Sequence, residues 1–352
     1  MPTLFDPLTV GAFQLPHRIV LAPLTRCRAS AGRVPNALMA HYYRQRSTAS
    51  FILSEATAID PHGVGYPDTP GIWSEEQIAG WKTITEAVHE SGSKIFLQLW
   101  HVGRISDPHY LNGALPIAPS AIAAKGRVSL LRPMKDFVTP RALELSEIPK
   151  IIAFYRQAAI NAQKAGFDGV EIHGANGYLP DQFLQTSTNH RTDSYGGSIE
   201  NRARFLLEAT DEAISIWGAD HVGVHLAPRG DAHDMGDADP AETFGYVAEE
   251  LGKRKIAFIC ARESYDKPAL GPDLKKRFGG VYIANEEFTK ESAEKAIQEG
   301  TADAVAWGKD FIANPDLPER FRQNAPLNPR RPELFYAQGE AGYTDYPLLA
   351  KK

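Results

Sequence analysis

The chain has 352 residues, of which 43% are hydrophobic and 23% are charged, and its formal net charge at pH 7 is -5. This is the composition of an ordinary globular protein that is long enough to bury an extensive core. No cluster of lysines and arginines alternates with aromatic residues, so the chain lacks the electrostatic footprint of a nucleic-acid-binding protein. We expect a small-molecule substrate, and neither nucleic acid nor another polyanion as a partner.

Cysteine usage and the N-terminal segment bear on the compartment. Cys27 and Cys260 are the two cysteines and lie far apart in the sequence, which fits a reducing compartment better than a disulfide framework. The segment MPTLFDPLTV has no positively charged region followed by an apolar one, and no apolar run reaches the roughly 18 residues of a membrane span. The sequence therefore predicts a cytoplasmic protein without a membrane partner, and it leaves the oligomeric state open.

The predicted secondary structure has a simple rhythm. The opening segment PLTVGAFQLP, residues 7–16, has the alternation and the glycine of a β-hairpin, and short β-rich runs then alternate with amphipathic helical stretches. The eight β-rich runs are Arg18–Pro23, Ala49–Ala56, Lys94–Trp100, Gly169–Ala175, His221–Pro228, Ile256–Glu263, Gly280–Asn285 and Ala304–Lys309. A helix candidate follows each of the first seven. The sequence predicts an α/β fold, a (β/α)8 TIM barrel, as a single domain over residues 1–352, with the hairpin closing its N-terminal end.

The longest stretch without clear periodicity follows the third run. It covers residues 102–145 and is rich in Pro, Gly, Ser and Ala. A loop of that length in a compact barrel is usually functional. We expect this excursion to cover the active site.

Polar side chains recur where the predicted strands end, which is the end of a TIM barrel that carries the active site. Thr25 follows the first strand, Gln98 and Trp100 share one face near the end of the third, and His173 and His225 end the fourth and fifth. Neutral amide and hydroxyl groups suit the edge of a planar heterocycle better than a metal ion. Taken one at a time, each residue could equally be a satisfied polar group at the barrel rim.

Three residues at the end of the fourth strand and directly after it suggest a reaction. His173 and Asn176 can both donate hydrogen bonds to one oxygen, and Tyr178 carries a phenol that stays protonated at neutral pH, since its ordinary pKa is about 10. Two donors and a proton source suit a carbonyl or nitro group that becomes electron-rich during reaction. The alternative is a loop that caps the barrel, with its polar groups satisfied by backbone.

Seven segments of the chain can be compared with known families: PLTR (Pro23–Arg26), SEAT (Ser54–Thr57), LQLWHVGR (Leu97–Arg104), HGANGYL (His173–Leu179), NHRTDSYGGSIENRARF (Asn189–Phe205), FIANPDL (Phe311–Leu317) and GYTDYP (Gly342–Pro347). Together these segments resemble the old yellow enzyme family of flavin-dependent ene-reductases, which includes bacterial N-ethylmaleimide reductases and nitrate-ester reductases. They occur in the family's order and extend over essentially the whole chain.

The resemblance implies one FMN across the C-terminal mouth, reduced by NADPH or NADH and reoxidised by an activated alkene in a ping-pong mechanism. The expected alkenes are α,β-unsaturated carbonyls, nitroalkenes and maleimides. By this resemblance His173 and Asn176 hold the substrate oxygen, while Tyr178 protonates the α-carbon as flavin N5 delivers hydride to the β-carbon. Reduction of nitrate esters or nitro compounds in the same site is the alternative.

The resemblance also implies which residues surround the flavin. Thr25 is expected to bond the flavin C4 carbonyl, Gln98 to reach the pyrimidine edge and Ala56 to pack beside the ring. The implied cofactor-binding residues are Pro23, Leu24, Thr25, Ala56, Gln98, His225, Asn285, Glu286, Gly308 and Lys309. Tyr66, Trp100 and Tyr336 resemble the pocket-wall aromatics. Arg141 is either a contact for the nicotinamide cofactor or simply exposed.

The sequence departs from the family's pattern on the fifth strand. His225 stands where an arginine beside flavin N1 and the C2 carbonyl is usual. Arginine is permanently cationic, whereas an unperturbed imidazole titrates near pH 6.5 and has fewer donors. We therefore expect a lower flavin potential above neutral pH than an arginine would give.

A second departure lies at the expected phosphate loops after strands seven and eight. Lys309 stands where arginine is common, and Glu286 and Glu287 occupy a turn that contains glycine in many relatives. Two carboxylates beside a phosphate would repel it. FMN binding is compatible with them if backbone N–H groups face the phosphate and both side chains point to water.

Two competing hypotheses come from other classes of protein. His101, His173 and His225 near strand ends could form a divalent-metal site of a barrel hydrolase, although His101 has the opposite parity to Gln98 and Trp100. A protein that holds flavin without turnover is the other, and only the histidine at 225 favours it. The combined motifs favour the ene-reductase, with no metal.

Overall fold

The computed structural model describes residues 1–264 and 268–350. Within them the strands in chain order are β1 (Leu8–Val10), β2 (Phe13–Leu15), β3 (Ile19–Leu21), β4 (Phe51–Leu53), β5 (Thr57–Ala58), β6 (Lys94–Trp100), β7 (Ile117–Ala118), β8 (Arg141–Ala142), β9 (Gly169–Gly174), β10 (Val222–Leu226), β11 (Phe258–Arg262), β12 (Val281–Asn285) and β13 (Ala304–Trp307). β3, β4, β6 and β9 to β13 pair in parallel, and β4 also pairs with β6, which closes the ring. The predicted (β/α)8 TIM barrel is confirmed.

The helices lie between these strands and after the last one. They are α1 (Ala37–Gln45), α2 (Glu75–His89), α3 (Ile148–Lys164), α4 (Leu179–Leu184), α5 (Ile199–Trp217), α6 (Pro240–Arg254), α7 (Gly271–Phe278), α8 (Lys290–Gln298), α9 (Lys309–Ala313) and α10 (Leu317–Gln323). α2 begins at a capping box, in which the Ser74 side chain accepts from the Gln77 backbone and the Gln77 side chain accepts from that of Ser74. Among the described residues, no helix combines the length and the apolar character needed to span a bilayer.

The inside of the barrel is filled with aromatic side chains at its N-terminal end. Phe51, Phe96 and Phe258 point inward and meet edge to face or tilted, with ring centroids 4.7 to 5.7 Å apart. The β1–β2 hairpin lies beneath them, and Phe13 contacts Phe96 with a centroid distance of 5.9 Å. The hairpin therefore closes this end as predicted, and the polar inward residues face the opposite mouth.

The outward residues of the strands build the second layer. Val222, Val224 and Leu226 of β10 are buried in the large cluster between barrel and helices, which leaves His225 facing inward. His225 thus lies on the face of β10 that lines the mouth of the barrel.

The excursion over residues 102–145 reaches the mouth of the barrel. It carries the small parallel sheet of β7 and β8, and its Ser129 and Leu130 line the cavity described below. Arg104 fixes it by donating to the Ile122 carbonyl at 3.1 Å. Arg141 lies outside the mouth, exposed and paired with Glu147 at 2.6 Å, so the exposed alternative is the observed one.

Replacing Phe13 by alanine should destabilise the barrel without touching its mouth. The ring packs on Phe96 and lies under the Lys94 ammonium, 5.3 Å away, so its loss leaves the aromatic floor partly uncovered. We expect the free energy of unfolding in urea to fall by about 2 kcal/mol for Phe13→Ala and by less for Phe13→Leu. Equal stability of all three proteins would show that the hairpin does not stabilise the barrel.

Candidate active site

A cavity of about 560 Å³ opens at the C-terminal ends of the barrel strands. Its lining brings together the predicted cofactor and catalytic residues and two of the three predicted pocket aromatics. These are Pro23, Leu24, Thr25, Ala56, Tyr66, Gln98, His173, Asn176, Tyr178, His225, Asn285, Glu286, Gly308, Lys309 and Tyr336. Trp100 is the exception. It is fully buried behind Tyr66 and Tyr178, at centroid distances of 5.4 and 5.1 Å, so it supports the wall from behind.

The end of β9 carries His173, and the turn that follows places Asn176 and Tyr178. Asn176 has a positive φ of 58°, and the following turn is held by Asp181, which accepts from the Gly177 backbone N–H at 2.8 Å. Tyr178 is the N-cap residue directly before α4, so its phenol is held between a tight turn and a buried helix. The geometry of this turn therefore fixes the positions of Asn176 and Tyr178 relative to His173.

Burial sets the protonation of the two catalytic candidates. Loss of solvation is the main cause that lowers the pKa of His173 well below its usual value, and the nearby Arg262 guanidinium acts in the same direction. The His173 Nδ1 has no hydrogen-bond partner among the described residues, so the fold does not use the ring's full bonding capacity. Burial likewise raises the pKa of Tyr178 well above that of a free phenol. The site therefore offers a neutral imidazole and a protonated phenol.

Arg262 orients the amide of Asn176. Its Nη1 donates to the Asn176 Oδ1 at 3.0 Å, and because a guanidinium cannot accept, the atom facing it must be the oxygen. The amide Nδ2 is left to donate to a ligand. The sequence analysis missed Arg262, although it ends β11 on the inward face that also carries Phe258 and Cys260.

A buried carboxylate, that of Glu171, lies behind Gln98 and His225. Glu171 accepts from Gln98 Nε2 at 2.7 Å, which leaves the amide oxygen of Gln98 to accept from a ligand. The other carboxylate oxygen lies 3.3 Å from His225 Nδ1. The sequence analysis missed Glu171 as well, and the signal was an acidic residue two positions before His173 on the same strand.

The metal hypothesis finds no support in the geometry. His101, His173 and His225 do not converge on one point among the described residues, where Glu171, His225 and Cys260 form the one such group, with ligand atoms within 4.8 Å. Burial raises the pKa of the Cys260 thiol well above its usual value.

Ion pairs line the outer rim of the cavity. Glu286 accepts from Arg262 at 2.9 Å, and Glu287 lies 2.8 Å from Lys309. The Glu287 side chain is 55% exposed, but that of Glu286 is 22% exposed and folds back on Arg262. The condition that both side chains point to water is therefore met by Glu287 and not by Glu286, because the guanidinium attracts the Glu286 carboxylate. Both residues have positive φ, 98° and 57°, a conformation that glycine adopts without strain.

Comparison with known proteins gives consistent matches over the whole chain. Residues 3–328 match the NADH:flavin oxidoreductase / NADH oxidase family. The chain is 44% identical over 360 residues to 12-oxophytodienoate reductase 1 of Oryza sativa subsp. japonica, covering 98% of this chain and 93% of the relative. The structure of the old yellow enzyme homologue from Zymomonas mobilis superimposes with a TM-score of 0.96 at 46% identity, covering 99% of this chain and 100% of that chain. Morphinone reductase in complex with tetrahydroNAD gives 0.96 at 47% identity, covering 99% and 98%.

Removing the charge of Asp181 should stabilise the protein in a pH-dependent way. Burial raises the pKa of this carboxyl to about 7, so its contribution to stability is complete below the unfolded pKa and is lost as pH rises through about 7. Asp181→Asn keeps an acceptor for Gly177, and the Gln185 amide can turn to bond the new N–H. We expect the gain in unfolding free energy over the parent to grow by on the order of 2–4 kcal/mol between pH 4.5 and pH 8.

The measurement is urea unfolding of both proteins at the two pH values. A pH-independent difference between them would show that Asp181 is ionised throughout.

Proposed function

The chain belongs to the NADH:flavin oxidoreductase / NADH oxidase family, the old yellow enzymes, and we propose that it is an ene-reductase acting on activated C=C bonds. As a member it is an FMN-dependent oxidoreductase with a nicotinamide reductant. The observation that carries the proposal is the triad at the end of β9 and in the turn after it, a neutral imidazole and an oriented amide donor beside a protonated phenol. The reductase names of its relatives support it.

The donor set of the cavity fits FMN. Gln98 offers an amide oxygen, because its nitrogen is bonded to Glu171, and Thr25 offers a hydroxyl, so both suit the polar edge of the isoalloxazine. His225 is a further polar side chain that lines this part of the cavity. When bound, FMN supplies the hydride chemistry, taking hydride from the nicotinamide and giving it to the substrate's β-carbon.

His173 and Asn176 bind the oxygen that activates the alkene. Both side chains are neutral donors held by the fold before the substrate arrives, and the buried cavity strengthens their hydrogen bonds. As negative charge develops on that oxygen, the two bonds strengthen and lower the barrier. A carbonyl, nitro or imide oxygen meets this requirement, which defines the substrate class as enones, nitroalkenes and maleimides.

Tyr178 delivers the proton to the α-carbon. Its raised pKa keeps the proton on the phenol until a strongly basic carbon develops beside it. The ring is fixed against Trp100 and His173, with centroids 5.1 and 5.0 Å away, so proton delivery occurs at one defined place in the cavity.

The direct test is anaerobic spectroscopy of the purified protein followed by Tyr178→Phe. The visible flavin band should bleach on addition of NADH or NADPH and return when 2-cyclohexenone is added. In the phenylalanine variant the return should slow by about 10² or more, because the proton donor is lost, while bleaching is much less affected. A flavin that bleaches but is not reoxidised by any enone, nitroalkene or maleimide would refute the proposal.

Replacing Glu287 by glycine should tighten FMN binding, if the phosphate end lies at the rim formed by Glu287 and Lys309. The change frees the Lys309 ammonium, removes a carboxylate from beside the phosphate and relieves a left-handed backbone. We expect the dissociation constant for FMN, measured by fluorescence quenching on the apoprotein, to fall by about tenfold, equivalent to ~1.4 kcal/mol.

Glu287→Gln is the matched control, since it removes the charge and keeps the side chain on the same backbone. A gain with glycine but not with glutamine would assign the effect to strain alone. An unchanged constant in both variants would place the phosphate elsewhere.

A further inference from the structure

The phenol of Tyr178 cannot keep the negative charge that proton donation leaves behind. It lies in a buried aromatic cluster with Tyr66 and Trp100, and the burial that raises its pKa makes a tyrosinate there costly. A turnover therefore requires a proton to reach Tyr178 from solvent as its own proton leaves.

A line of hydrogen-bonding groups connects Tyr178 to the edge of the cavity. The hydroxyl oxygens of Tyr178 and Tyr66 are 2.9 Å apart, and the Tyr66 hydroxyl lies 3.4 Å from Nε2 of His233. The rings of Tyr178 and His233 are themselves in contact, with centroids 5.3 Å apart. His233 is half-buried and lines the cavity, so its ring is within reach of water.

The backbone of the catalytic turn fixes the tautomer of His233. Its Nδ1 lies 2.6 Å from the carbonyl oxygen of Asn176, and because a carbonyl only accepts, Nδ1 carries the hydrogen. Nε2 is then the atom that gains and loses a proton, and it is the atom that faces Tyr66. The same turn that presents Asn176 and Tyr178 therefore also orients the imidazole.

The segment that carries His233 is held in place. The Arg104 guanidinium donates to the His233 carbonyl at 2.9 Å, and His233 and Asp234 have positive φ of 60° and 64°. Such a conformation is unfavourable for residues other than glycine and persists where surrounding contacts impose it. The imidazole is thus positioned by the fold.

We propose that Tyr66 and His233 form a proton relay that restores Tyr178 during alkene reduction, an inference that rests on the proposed function. The C–H bond at the α-carbon forms as the Tyr178 O–H bond breaks. Tyr178 takes the hydroxyl proton of Tyr66, and Tyr66 takes the Nε2 proton of His233, which returns to the neutral Nδ1–H form. His233 then takes a proton from water. Each step forms one bond to hydrogen and breaks one, and the net proton comes from solvent.

The pH dependence follows from the surroundings of the ring. Burial is the main cause that lowers the pKa of His233, so its protonated fraction falls as pH rises through a value below the usual one. The titratable and charged groups near the ring are Tyr66, Tyr178, His173, Arg104, Arg262 and Asp234. Reoxidation by an enone should therefore slow between pH 5 and pH 8.

The kinetic test is stopped-flow reoxidation of the reduced holoenzyme by 2-cyclohexenone, with His233→Gln and Tyr66→Phe. Both variants should lose about tenfold or more in rate together with the pH slope, whereas reduction by NADH should change much less. His41→Gln, on an exposed face of α1, and Tyr155→Phe, which removes a buried phenol oxygen in α3, are the matched controls. Variants that keep the parent rate and pH slope would overturn the relay and leave the ene-reductase intact.

Chemical rescue separates proton transfer from a structural effect. His233→Ala should be restored by added imidazoles, with a rate that follows the pKa of the imidazole used. Absence of rescue, or rescue that is independent of that pKa, would give His233 a structural role and overturn the relay. If the parent holoenzyme itself is not reoxidised, both the proposed function and the relay fall.

A readout independent of turnover is available from nuclear magnetic resonance. In protein labelled with ¹⁵N in its 11 histidines, the signals that disappear in His233→Gln should show the Nδ1–H tautomer above neutral pH. Tyr66→Phe should shift the Nε2 signal of that ring. An Nε2–H tautomer in the parent protein would overturn the relay.

Discussion

The aromatic floor made by Phe51, Phe96 and Phe258 determines where the inward-facing polar side chains of the barrel can find hydrogen-bond partners. Three rings within 4.7 to 5.7 Å of one another, covered by the hairpin below, fill the N-terminal end of the barrel. Polar side chains that point inward, closer to the C-terminal end, therefore form hydrogen bonds at the mouth or with one another. Glu171 is the clearest case, since it pairs with Gln98 and His225 on the neighbouring strands β6 and β10.

Within this frame the site is built from neutral groups next to paired charges. Burial keeps His173 and Tyr178 neutral. Arg262 forms an ion pair with Glu286 and orients the Asn176 amide by a hydrogen bond. A charge that is already paired is a poor proton donor and a good positioning group. Under the proposed function, this division lets one cavity hold the substrate's oxygen firmly and still release a proton at one defined carbon.

The sequence predicted the fold and most of the site for different physical reasons. The eight strands were predictable because the alternation of apolar runs with amphipathic helices is a local property, and His173, Asn176 and Tyr178 because one tight turn fixes their spacing. Arg262, Glu171 and His233 were missed because their roles depend on partners far away in the chain, 86, 73 and 57 positions from the residues that they contact. Trp100 was misplaced for the same reason, since Tyr66 and Tyr178 cover it.

The pairs at the rim also bear on how the protein acquires its cofactor. Arg262, Lys309 and Arg330 each have a carboxylate partner, in Glu286, Glu287 and Asp310, at 2.7 to 2.9 Å. If FMN enters with its phosphate at this rim, as proposed above, the approaching dianion meets paired charges with little net field, and long-range attraction contributes little to its capture. Loading would then be governed by diffusion and by the opening of these pairs at close range, and its rate would depend only weakly on ionic strength.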